Sequence, residues 1–318
     1  MKKIFFAVVA LVAMISCSKN YTIDYNKQAI AFGDVFVDNA TRADYSDGLH
    51  LTRFLVYGAV TGVGGTTNIF GGDEVIGEVG GNWNYVDSDT KVQYWVPGAD
   101  YDFAAVADGT ALIWSDEKDE NGMPLLLHTY TNQDTNLDDM LYATAHVEDA
   151  TANQGPVNFT FNHLLSKVHF TVTSTAEGDY YHTVTGIKVA NYSSGTYAIT
   201  TDTWTGKTAK DVPFADIAEV TNTAGKSNAD MLLVPTAATF NVMFTVNLYR
   251  DNLYKDDTLL STENKTVPVT IKDGEQVVGL QKGHAYNFTI ACSVGNPIQF
   301  TVNSDPTWDT TNGNVNVQ

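Results

Sequence analysis

Apolar and polar residues alternate with a period of two along much of the chain. Phe240, Val242, Phe244, Val246 and Leu248 are interleaved with Asn241, Met243, Thr245 and Asn247. The same rhythm carries Tyr286, Phe288, Ile290, Cys292 and Val294, then Ile298, Phe300 and Val302. Successive strand side chains point to opposite faces, so the pattern predicts β-strands with one buried face. Further strands are predicted from Ala29 to Val37, Phe54 to Val60, Tyr101 to Val106, Val157 to Phe161, Val168 to Val172 and Val184 to Val189. Clusters of Gly, Asn, Asp and Pro punctuate them at short intervals, as in sandwiches and barrels. Asn121-Gly122, ahead of Leu125-Leu126-Leu127, predicts a tight hairpin turn. Helix is expected only as a turn around Asp138 to Tyr142 and another around Phe214 to Val220. The expected fold is all-β.

The N-terminus departs from this pattern. Lys2 and Lys3 precede an apolar run from Ile4 to Ile15, too short to span a bilayer but suited to a signal-peptide core. It ends in Met14-Ile15-Ser16-Cys17, followed by polar Ser18-Lys19-Asn20. This resembles a bacterial lipoprotein cleavage box, in which Cys17 becomes the acylated first residue of the mature chain. Each buried CH₂ of an acyl chain contributes about 0.8 kcal/mol, so several chains make a stable anchor. Cys292 is the other cysteine of the sequence, which leaves no intramolecular disulfide once Cys17 is lipidated. Stability must then come from the core.

A formal charge of −19, with no cluster of Lys or Arg beyond the signal region, opposes contact with a phosphate backbone. Nucleic acid is excluded as a partner. None of His50, His128, His146, His163, His169, His182 and His284 stands at a zinc-helix or paired-cysteine spacing, so they are read as hydrogen-bonded structural residues. Asp116 to Gly122 begins like a calcium loop, but the terminal acid position falls on His128. An acidic hairpin tip accounts for it better. The glycines from Gly58 to Gly81 form no phosphate-binding pattern, and no Gly-x-Ser-x-Gly turn exposes a nucleophile. Cys292 shares the inward parity of Phe288 and Ile290 and reads as a small buried hydrophobe. No catalytic residue, metal ligand or cofactor is expected. A glycosidase would need two carboxylates converging on a pocket, which sequence alone does not locate.

Several segments, taken in order, resemble the fimbrillins, the two-domain pilins of type V pili in Bacteroidia. They are Phe54-Leu55-Val56-Tyr57; Tyr94-Trp95-Val96-Pro97-Gly98 leading to Tyr101-Asp102-Phe103-Ala104-Ala105; and Asp139-Met140-Leu141-Tyr142-Ala143. The most specific is Phe161-Asn162-His163-Leu164-Leu165-Ser166-Lys167-Val168-His169-Phe170, similar to the segment that links the two pilin domains. Gly283 to Ile290 and Trp308 come next in the same order.

The resemblance implies two transthyretin-like β-sandwich domains in tandem: a signal peptide over 1–16, an anchor linker over 17–28, and domains over 29–162 and 163–318. It also implies export as a lipoprotein to the outer membrane and cell surface, then polymerisation once an Arg-specific protease removes the lipidated first strand. Of the three arginines, Arg42, followed by Ala43, lies just beyond the first predicted strand; Arg53 adjoins a strand and Arg250 lies deep in the second half. Loss of a strand that buries Ile30, Phe32, Val35 and Val37 would open a groove for another strand, the usual logic of strand addition. The C-terminal candidate donor, Gly313 to Gln318, alternates but offers only Val315 and Val317 as apolar side chains. The expected partners are other fimbrial subunits or further copies, the outer membrane through the lipid, and a host or bacterial surface ligand. The competing reading is a lipid-anchored surface protein that never polymerises and binds glycans through exposed Trp83, Trp95 or Trp114.

Overall fold

The computed structural model describes residues 28–37, 51–62, 64–78, 81–86, 92–107, 113–118, 124–131, 139–151, 154–175, 180–199, 201–220, 225–236, 238–273, 275–305 and 314–315. Cys17, Arg42, Ala43 and Val317 lie outside them, as do the Asn121-Gly122 turn and most of the acidic stretch beside it. The first half carries β1 (Phe32–Val37), β2 (Arg53–Gly62), β3 (Gly65–Ile76), β4 (Asn84–Tyr85), β5 (Asp100–Ala107), β6 (Ile113–Lys118), β7 (Pro124–Thr131), β8 (Leu141–Val147) and β9 (Val157–His163). The second carries β10 (Ser166–Ser174), β11 (Tyr181–Ala198), β12 (Thr203–Pro213), β13 (Ile217–Val220), β14 (Lys226–Ser227), β15 (Met231–Leu233) and β16 (Phe240–Tyr249). It continues with β17 (Leu259–Val269), β18 (Lys272–Asp273), β19 (Gln276–Val277), β20 (Ala285–Cys292), β21 (Gln299–Asp305) and β22 (Asn314–Val315).

The fold is all-β, and the helical element among the described residues is a single 3-10 turn at Asp256–Thr258. The two expected helical turns are corrected. Asp139 and Met140 lead into strand β8, and residues from Ile217 to Val220 form β13 on the edge of β11. Short apolar runs of this kind fit a strand as well as a helix, and pairing with an existing sheet decides between them.

One seven-stranded sheet runs β1-β9-β8-β5-β2-β3-β4. Its two ends approach each other, because Phe32 in β1 forms an isolated bridge with Trp83, next to β4. The curled sheet encloses a core that includes Ile30, Phe32, Phe54, Phe70, Trp83, Trp95, Phe103, Phe159 and Phe161. A second core lies between two other sheets. From β10, β20 and β21 come Val168, Phe170, Phe288, Ile290, Cys292 and Val302; from β11 and β16 come Val184, Ile187, Val189, Phe240, Val242 and Phe244. In β16 every second residue from Phe240 to Val246 is buried, so the alternation read from sequence maps directly onto this sandwich. The β6–β7 hairpin, although it comes from the first half of the chain, pairs through β7 with β11 in the second core's sheet.

Between the cores lies a third cluster, with Tyr57, Val106 and Met140 on one side, Tyr197, Ile199, Leu232 and Val234 on the other, and Leu164 and Leu165 of the link between them. The link is stitched to both sides: Leu164 N donates to Met140 O, and Gly283 N to Leu165 O. Buried His163 pairs with buried Asp139 at the same place. Asn191 satisfies both backbone groups of Val234, at 3.0 and 3.1 Å. At the rim, Lys282 Nζ donates to Tyr142 Oη (3.0 Å), Tyr197 Oη (3.3 Å) and Asp202 Oδ1 (2.5 Å), and Tyr197 donates to the same carboxylate. Burial raises the Asp202 pKa, but the bonds from Lys282 and Tyr197 outweigh it and leave the carboxyl below its usual range.

Candidate assembly site

The residues singled out in the first strand lie together. Ile30, Phe32 and Val35 are buried in the first core, and the register sets Val37 opposite Phe161. The Phe32 ring meets Phe54, Phe70, Tyr85, Phe103 and Phe159 at centroid distances of 5.5 to 6.5 Å. Aromatic pairs at this range add attraction beyond the area they bury.

Backbone bonds make a slot around this strand. On one side β1 pairs in parallel with β9, and Val157 N donates to Ala31 O at 2.8 Å. On the other, Ile30 N donates to Gln93 O, Trp95 N to Gln28 O, and Tyr85 Oη to Ile30 O at 2.6 Å. The far wall is itself braced. Val96 N donates to Tyr101 Oη at 2.7 Å, and Trp95 meets Tyr101 edge to face at 4.8 Å. Burial, helped by Asp73, pushes the Tyr85 phenol pKa well up, so Tyr85 stays a donor to Ile30 through the physiological range.

Val315 is not brought to this slot; it belongs to β22, which pairs with β21 through Val302↔Val315 and Asn303↔Asn314 on the sheet of the second core. Arg42 falls in the connection from β1 to β2. Arg53 opens β2, where the register sets it opposite Ile76 of β3, and its side chain pairs with Glu74 at 3.1 Å. Arg250 N is bonded to Thr258 O.

Two of the aromatic residues offered for glycan stacking are corrected: Trp95 is fully buried and Trp83 is 6% exposed, both within the first core. Their isolation in Gly- and Asn-rich sequence resembles a surface loop, whereas each folds back beside β1 to close the curled sheet. The histidines form local pairs: His146 Nδ1 with Asp102 (2.6 Å), His169 Nδ1 with Asp230 (2.9 Å) and His182 Nδ1 with Ser174 Oγ (2.9 Å). The Lys282–Tyr142–Tyr197–Asp202 cluster had no signal in the sequence, since its members are brought together only by the fold.

A family model described as fimbrillin-like matches residues 41–306. The chain belongs to the fimbrillin-like family. No curated protein matches it in sequence. Among solved structures, a fimbrial protein from Bacteroides vulgatus is similar at a TM-score of 0.64 and 16% identity, over 88% of this chain and 99% of that one. A candidate cell adhesion protein from Bacteroides ovatus follows at 0.54 and 15%, over 87% and 96%. Another from Bacteroides uniformis gives 0.51 and 15%, over 90% and 99%. At such identities the likeness is one of fold. Membership in the family places this fimbrillin-like chain among surface fimbrial or adhesive subunits.

Proposed function

We propose that this fimbrillin-like chain is a structural or adhesive subunit of bacterial surface fimbriae, exported as a lipoprotein, held in the outer membrane through Cys17, and joined to other subunits by strand exchange. Arg-specific cleavage after Arg42 releases the lipidated segment together with β1. The subunit consists of two transthyretin-like sandwich domains, over 29–162 and 163–318, that remain packed on each other through the Leu164-Leu165 link.

One observation carries this reading. β1 is an end strand of its sheet yet supplies core side chains, and Arg42 lies between it and the rest of the domain. Burying Ile30, Phe32 and Val35 contributes about 1.5–3 kcal/mol each, a large part of the roughly 5–15 kcal/mol that stabilises a whole domain. A domain that loses β1 therefore has strong reason to accept a replacement. The pairing of Arg53 with β3 and the backbone bond of Arg250 disfavour a cut at either, since a protease needs an extended, unpaired segment.

The test is digestion of the purified folded precursor with an Arg-specific protease, followed by N-terminal sequencing and native size analysis. A new terminus at Ala43 with a ladder of multimers is expected. A cut that leaves only a stable monomer would overturn strand exchange and point to a lipid-anchored surface-binding protein.

A further inference from the structure

β17 ends its sheet: β16 holds one edge, and among the described residues no strand pairs with the other. A free edge carries a row of unpaired backbone groups that can take a further strand. β17 keeps a single register against β16 from Ser261 to Val269, and its bulge comes only beyond that run, at Leu260. The edge is therefore regular over the length of an ordinary strand. Pro268 tells which residues face outward. It lies opposite Asn241 and has no N–H to give the ladder, so its backbone nitrogen points away from β16. Backbone groups alternate sides along a strand, so Thr266, Asn264 and Thr262 also present their N–H and C=O outward.

Thr262, Glu263, Asn264 and Thr266 are exposed, Lys265 is half-buried, and Lys265 Nζ pairs with Glu263 Oε2 of its own chain at 2.7 Å. Charges on an edge keep other chains off, and two like charges here would do so. Glu263 and Lys265 are instead opposite in sign and stand symmetrically about Asn264. An antiparallel strand related by a two-fold axis at Asn264 sets Glu263 of each copy opposite Lys265 of the other, and Thr262 opposite Thr266. Asn264 then faces itself, and the outward backbone groups of Thr262, Asn264 and Thr266 bond across the seam. Other registers are worse. An axis at Glu263 or Lys265 opposes like charges, which destabilises a cross-strand pair. An axis at Thr262 sets the charges against Ser261 and Leu259, and one at Thr266 sets them against Val267 and Val269.

We infer that the free edge of β17 receives the same edge of a second copy of this chain, antiparallel and in the one register centred on Asn264. The contact is isologous, so it joins subunits side by side in pairs and does not propagate. It lies on the sheet of the second core, apart from β1, and holds whether or not strands are exchanged. Its ion pairs are solvent-exposed, so a single pair of subunits associates weakly, and the contact gains strength where many subunits are held in a row.

The test uses the uncleaved chain from Ser18, in which β1 fills its own place and no strand-exchange multimer forms. Sedimentation equilibrium at concentrations up to about millimolar should show a monomer–dimer equilibrium that weakens as salt rises. Glu263→Lys and Lys265→Glu should each weaken self-association by about tenfold or more. An equimolar mixture of the two variants should dimerise again, because a positive edge then meets a negative one, and exchanging both charges within one chain should restore the native affinity. Disulfide trapping reads the register, since the about 5.5 Å between Cα atoms of a hydrogen-bonded pair suits a disulfide. Thr262→Cys mixed with Thr266→Cys should give a covalent dimer, and neither variant alone should. A chain that stays monomeric over this range, or whose association is unmoved by either charge reversal, overturns the inference. Dimers trapped by Thr262→Cys or Thr266→Cys alone overturn the register.

Discussion

Phe32→Ala removes the ring on which the first core converges. The ring is 5% exposed, makes five aromatic contacts, and sits where β1 pairs with β9 on one side and bridges to Trp83 on the other, so the walls around the vacancy have little freedom to collapse. Truncating a buried Phe costs about 3–5 kcal/mol, and a site that cannot relax belongs at the upper end. Guanidinium unfolding of the mature chain followed by Trp fluorescence reads this directly, because Trp83 and Trp95 sit in the same core. The midpoint of their transition should fall with little change in slope. Two cores need not unfold together, so hydrogen exchange should locate the loss: amides of β1 and β9 exchange faster, while those of β16 and β20 are unchanged. A destabilisation below about 1 kcal/mol, the size of an ordinary substitution, would refute the view that Phe32 holds β1 in place.

Gly33→Val should lower stability by about 1–3 kcal/mol through overpacking against Pro156 and Asn158, seen as a fall in melting temperature, whereas Ala31→Val on the exposed face of the same segment should not. Burial holds the His182 imidazole below its ordinary pKa, so in acid the unfolded chain takes up a proton that the folded chain refuses. This part of the stability is present above the unfolded-state pKa and is lost as pH falls toward the folded value. Denaturant midpoints at pH 7 and pH 5 should therefore diverge more for the native chain than for His182→Gln. Burial, with the charge of Glu263, pushes the Cys292 thiol up to about 12, so in a chain lacking Cys17 an aromatic disulfide reagent should react only after denaturation.

The strands of the second core were legible because half-buried sheets impose a period of two: Phe240 to Leu248 and Tyr286 to Cys292 fall on the faces that their spacing assigns. The strand from Ala29 to Val37 was legible by composition, but its shift of register between Phe32 and Val35 was not, since only the positions of Pro156 and Asn158 reveal why Gly33 is there. The pairing of β7 with β11 and the joint around Lys282 depend on contacts between residues far apart in sequence, for which periodicity holds no information. Trp83 and Trp95 misled for a related reason. Their neighbours are polar, and their burial comes from a sheet that curls until its ends meet.

The parallel pairing of β1 with β9 also bears on the order in which the domain forms. Residue 32 meets residue 157 across the rest of the domain, whereas β2 meets β3, and β8 meets β9, across short connections. Contacts between distant positions carry the larger loop-closure entropy and form late. The folding chain should thus pass through a stage in which the other strands have assembled and the N-terminal segment has yet to dock. At that stage the same empty seat is open to any competitor nearby, and the covalent tether of β1 to its own chain secures it by keeping the local concentration of the rightful occupant high.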